Sequence, residues 1–141
     1  MRTEFVTYEQ AIELKKLGFA EPCFSFYSKD SDVLYFDVDP DDHTLEWYNQ
    51  SSVDIRNFSW VYRTSAPLKQ QVFRWFRENH KFDGWATPCY TSDGKFYSFI
   101  IESGKESEID GSYDDFKTYE EAENACIDKL IEIIILNPAV K

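Results

Sequence analysis

The densest run of chemistry-bearing residues is DVDPDDHTLEW, Asp37 to Trp47. Asp37, Asp39 and Asp41 stand at the first, third and fifth places of a calcium loop, where alternating oxygen ligands close on a hard cation. The sixth place of such a loop needs glycine and here holds Asp42; the twelfth needs a bidentate glutamate and holds Tyr48. A solvated acidic turn is the expectation, and no metal site is assigned. A second set is Cys89 with His80 and Asp83. A thiolate nucleophile needs a positioned base and a lowered pKa, and a strand cysteine beside a helix-end histidine in sequence supplies neither. Cys23, Cys89 and Cys126 are scattered without Cys-x-x-Cys spacing, so they read as reduced thiols behaving as small buried hydrophobes. With two histidines and no glycine-rich phosphate loop, the expectation is a non-enzymatic chain with no catalytic residue and no cofactor.

Two surfaces compete for a binding role. Gln70, Arg74, Arg77 and Lys81 line one face of a helix predicted within residues 67–81, opposite Leu68, Val72, Trp75 and Phe76. Such a stripe could grip phosphate or an acidic partner. Specific nucleic-acid binders typically neutralise roughly 6–10 phosphates, and three cations fall short, so a solvated outer face is the plainer reading. The tail LIEIIIL, Leu130 to Leu136, has Glu132 as its one polar residue. A helix end that is apolar all round must be covered by its own domain or by a second copy of the chain. Ile131, Ile134, Ile135 and Leu136 are the residues through which a homodimer would form.

The elements that position these residues carry clear start and stop signals. The heptapeptide FVTYEQA, Phe5 to Ala11, is nearly repeated as FKTYEEA, Phe116 to Ala122. In each copy a threonine (Thr7, Thr118) is followed three residues later by Gln10 or Glu121, which is a capping box. The first helix is predicted over residues 8–17, closed by Gly18; the last ends before Pro138. In the middle helix Pro67 falls in the first turn, where its missing amide costs nothing. CFSFYSK (23–29) and VLYFDVD (33–39) alternate around a polar turn, and TLEWY (44–48) and FSWVYR (58–63) are weaker strands. ATPCYT (86–91) and KFYSFII (95–101) are joined across Asp93-Gly94, a strong hairpin signal. Both alternating sets of the second strand are mostly apolar, which places it inside a sheet and covered on both faces.

The predicted architecture is α+β, a single domain over residues 1–141 with a mostly antiparallel sheet, about three helices and a helix at each end. The 141 residues suffice for a core without disulfides, and 25 aromatic side chains would build it. The net charge of −11 is uneven: residues 1–66 sum to −6 and 86–141 to −7, while residues 67–85 carry four basic side chains against two acidic ones. The bulk of the chain therefore repels phosphate backbones. The longest uninterrupted apolar run, Ile133 to Leu136, is far below the ~20 residues of a membrane span, and no signal peptide is expected. A cytoplasmic setting follows from these two expectations and from the unpaired cysteines.

FVTYEQAIELKKLGFAEPCFSFY (5–27), SAPLKQQVFRWFRE (65–78) and KTYEEAENACIDKLIEII (117–134) together resemble small proteins of unassigned activity encoded by prophages and conjugative elements of gut anaerobic bacteria. That resemblance covers about half of the chain. It implies a mobile-element accessory factor and implies no catalytic or binding residue. The expected role is interaction with an unknown protein partner. The alternatives are a nucleic-acid-binding module on the basic stripe, or an acidic inhibitor whose carboxylates mimic DNA phosphates.

Overall fold

A computed structural model describes residues 2–23, 25–28, 32–36, 63–104, 106–111 and 116–137. The chain divides into two compact units, residues 1–68 and 69–141. Both are α+β, and in both the strands are antiparallel.

The first unit opens with a 3-10 turn, Arg2–Glu4, followed by helix α1, Tyr8–Lys16. Thr7 caps α1 as its sequence predicts. The Gln10 amide donates to Thr7 Oγ1 at 3.2 Å, and the Thr7 amide donates to Gln10 Oε1 at 3.0 Å, so both arms of the box are closed. At the other end the Phe19 amide reaches the Leu14 carbonyl and the Gly18 amide reaches Lys15. This pair of bonds is a Schellman motif, and Gly18 supplies the positive φ, 94°, that it requires. Strands β1 (Ser25–Ser28), β2 (Leu34–Phe36) and β3 (Arg63–Ser65) form a sheet in the order β2-β1-β3. The Tyr27 hydroxyl on β1 donates to the Val6 carbonyl at 2.6 Å, and the Val6 amide donates to Pro67. A β-bridge between Phe5 and Leu68 continues this pairing. These bonds correct the predicted start of the middle helix. Leu68 pairs as a strand, so the helix begins at Lys69 and Pro67 lies before its first turn.

In the second unit, α2 spans Lys69–His80. Strands β4 (Phe82–Thr91), β5 (Gly94–Ser103) and β6 (Glu106–Gly111) form a sheet in the order β4-β5-β6, and α3 spans Tyr119–Leu136. Lys81, with φ 63°, turns the chain from α2 into β4. It therefore sits beyond the helix, which corrects its predicted place on the helical stripe. The β4–β5 hairpin also differs in detail from its prediction. Thr91 pairs with Gly94, so Ser92 and Asp93 form the corner and Gly94, φ 131°, begins the return strand. Tyr97 exchanges both backbone bonds with Phe116, at 2.9 Å each. Its amide and carbonyl thus point away from β4, so Pro88, which faces Tyr97, forfeits no ladder bond. β5 is the inner strand, as its composition predicts. Its cover is unequal, however: Phe99 and Ile101 are buried while Phe96, Ser98 and Ile100 are half-buried. α3 lies against the first of these two faces, because Gly84, paired with Ile101, sits directly beneath Cys126 and Leu130.

Candidate functional site

The buried stripe of α3 runs at the three- and four-residue spacing of a packed helix, with Ala122, Cys126, Ile127 and Leu130 all inaccessible. Glu123 falls within that stripe and is 5% exposed. Gln70 Nε2 donates to Glu123 Oε2 at 2.8 Å, which joins the first turn of α2 to α3. Beside Gln70, Lys69 is 2% exposed, and among the described residues its Nζ meets no hydrogen-bond acceptor. Burial holds the Lys69 ammonium below the usual lysine range, opposed by the attraction of Glu123 and then Glu120. Burial likewise pushes the Glu123 carboxyl up, opposed by Lys69 and by the Gln70 bond. One turn away on either side, Tyr119 and Cys126 share this environment. The Tyr119 hydroxyl is raised by burial and then by Glu123. The Cys126 thiol is pushed up to about 12 by burial first and Glu123 second, against the Trp85 backbone amide.

A thiol at that value stays protonated at neutral pH and is no nucleophile. Lys69 and Glu123 are themselves nearly fully covered, so the cluster pins α2 to α3 rather than meeting a ligand. Among the described residues no group of three histidine, cysteine or acidic side chains is placed to hold a metal ion. The sequence reading missed this cluster. Its signal was a carboxylate at a position that helical periodicity assigns to the buried stripe.

The predicted surfaces fare unevenly. Of the basic stripe, Arg74 is exposed, Gln70 is engaged by Glu123, and Arg77 Nη1 approaches Asp83 at 3.9 Å. Lys81 has left the helix, and its Nζ donates to the Glu78 carbonyl at 2.9 Å. The stripe is thus not one continuous cationic face. Of the four tail residues, Ile131 and Ile134 are buried within the chain, while Ile135 and Leu136 are 51% and 68% exposed. His80 lies edge-on to Trp75, ring centroids 4.7 Å apart, and Cys89 Sγ sits 3.1 Å from Ser98 Oγ. Asp83 and Cys89 are six residues apart on one strand, or about 20 Å, so Cys89, His80 and Asp83 do not assemble. Cys23 and Cys126 are buried, and no disulfide joins the three cysteines. The Asp37–Asp41 run, the strand predicted at 44–48 and residues 58–62 of the strand predicted at 58–63 lie outside the described residues, while Arg63 begins β3. No described helix is long and apolar enough to cross a membrane.

No family model, curated protein or solved structure matches this chain.

One further surface emerges from the pleat. Residues 83, 85, 87 and 89 of β4 point away from the face that α3 covers. On that outer face Trp85 pairs with Ile100, Asp83 with Glu102 and Cys89 with Phe96. Trp85 is 37% exposed although it is among the largest apolar side chains in the unit. A tryptophan left open on a sheet is the kind of anchor that protein interfaces use.

Proposed function

We propose that this chain is a non-enzymatic protein-interaction factor, of the accessory kind that mobile genetic elements encode, and that it engages its partner through the outer face of the β4–β5 ladder. The observation that carries this reading is Trp85, more than a third exposed beside Ile100 on the sheet face turned away from α3. An indole in water forgoes the burial that would stabilise it by about 25 cal/mol per Å² of apolar surface, and a partner would supply that burial. The resemblance of residues 5–27, 65–78 and 117–134 to mobile-element proteins supports the accessory role. The nucleic-acid alternative is weaker, because Gln70 and Lys81 are committed elsewhere and the surrounding charge is negative.

The test is site-specific photo-crosslinking in the cells that carry the element. A photoreactive phenylalanine analogue at position 85 is expected to give a discrete protein adduct, and the same analogue at position 74 none. Equal or no adducts from both positions would remove the β4–β5 face as the partner surface.

A further inference from the structure

We propose that the outer face of the β4–β5 ladder recognises a basic protein segment, taking an arginine or lysine side chain between the Asp83 and Glu102 carboxylates and the exposed part of Trp85. This rests on the reading of that face as a partner surface and adds the chemistry of the partner. The register sets Asp83 directly across from Glu102, with Cβ atoms about 5 Å apart. Like charges directly opposite one another weaken a sheet, so this pair disfavours the free protein and favours any cation that bridges it.

The internal compensation is small. Arg77 stands 3.9 Å from Asp83, and the two side chains are 55% and 50% exposed, so water screens the contact and a stronger donor can displace it. Trp85 follows two residues along the same face, and indole is the best aromatic partner for a cation. A guanidinium fits this arrangement particularly well, since its planar fork can bridge carboxylates while its face stacks on a ring. The chain as a whole carries −11, which draws a basic partner and repels nucleic acid and a second copy of itself.

The test uses a fluorescein-labelled arginine–serine repeat peptide and a glutamate–serine control, with binding read by anisotropy at low salt. The arginine peptide is expected to bind the full chain and the control is not. Asp83→Asn with Glu102→Gln, which relieves repulsion and so preserves the fold, is expected to weaken binding roughly tenfold or more. Trp85→Leu is expected to weaken it severalfold. Arg77→Ala should tighten it by freeing Asp83, whereas Arg74→Ala, which changes net charge equally, should leave it as it was. No binding of the arginine peptide, or binding that the carboxylate variant leaves unchanged, would overturn the proposal. The second outcome would assign the attraction to overall charge. If either occurs while crosslinking from position 85 persists, the partner surface stands and only the basic chemistry of its ligand is lost.

Discussion

A methyl group built on Gly84 would lie 2.9 Å from Leu130 Cδ1 and 3.0 Å from Cys126 Sγ, and both neighbours are fully buried. The approach of α3 to β4 is therefore set by a missing side chain. Alanine there would regain about 0.5–1 kcal/mol of chain entropy, which offsets part of its clash, but valine adds two more methyl groups to the same crowded spot. Gly84→Val is expected to destabilise the fold by about 1–3 kcal/mol, seen as a lower urea midpoint at unchanged m-value. Lys69 and Glu123 give a second residue-scale prediction, one that depends on pH. Lys69 is held below 10.5 in the folded chain, so between its folded value and 10.5 the unfolded chain binds more protons and stability rises with pH. Glu123 limits that shift by its attraction. Glu123→Gln removes that attraction but also removes a buried charge that the folded chain disfavours, as its raised carboxyl shows, so it is expected to change stability at pH 7 by less than ~1 kcal/mol. Lys69→Met added to Glu123→Gln removes the remaining buried charge, so it should stabilise at pH 7 by roughly 1–4 kcal/mol and abolish the rise of stability toward pH 10.5, as replacing both members of a buried pair commonly does. Chemical denaturation at a series of pH values measures both effects.

At the scale of elements, the repeated heptapeptide is one helix-docking device used in each unit. Phe5 and Phe116 each form an isolated β-bridge, to Leu68 and Tyr97. Thr7 and Thr118 cap, and Ala11 and Ala122 are buried. Tyr8 meets Tyr27 edge-on at 5.6 Å, and Tyr119 meets Tyr97 edge-on at 5.9 Å. The copies differ in one bond: Gln10 returns to the Thr7 amide, whereas Glu121 reaches past Thr118 to the Lys117 amide at 3.1 Å. Thr7→Ala and Thr118→Ala should each cost about 1 kcal/mol. Hydrogen exchange should rise at the Gln10 amide in the first variant and at Glu121 in the second. These caps were legible because they depend on residues three apart in sequence. The β4–β5 pairing was legible from Asp93-Gly94, but its corner moved by one residue because cross-strand register, not the dipeptide, decides which residues turn. Leu68 and Lys81 were misplaced on the middle helix for a related reason. Pairing with Phe5 sixty-odd positions away, and a left-handed turn at a lysine, are invisible to a helical wheel. The outer face of β4 was missed because only the β5 register shows that Asp83, Trp85, Ile100 and Glu102 are neighbours.

For the whole molecule, charge and the apolar tail decide how the chain meets its surroundings. Covering Ile131 and Ile134 within the chain leaves Ile135 and Leu136 as the tail's exposed apolar residues. A stable symmetric interface needs about 800 Å² from each partner, and two side chains supply only a fraction of that. Each copy also carries −11, so close approach of two tails must overcome repulsion that salt only partly screens. Dimerisation through this helix end is therefore expected to be too weak to populate. Sedimentation equilibrium at high protein concentration should give a monomer for the parent and for Ile135→Lys with Leu136→Lys alike, at low and at high salt. Ile134→Lys should instead lower stability sharply, because it drives a charge into the packed side of α3. A parent dimer that dissolves in the double variant would reverse this view and make the helix end an interface after all.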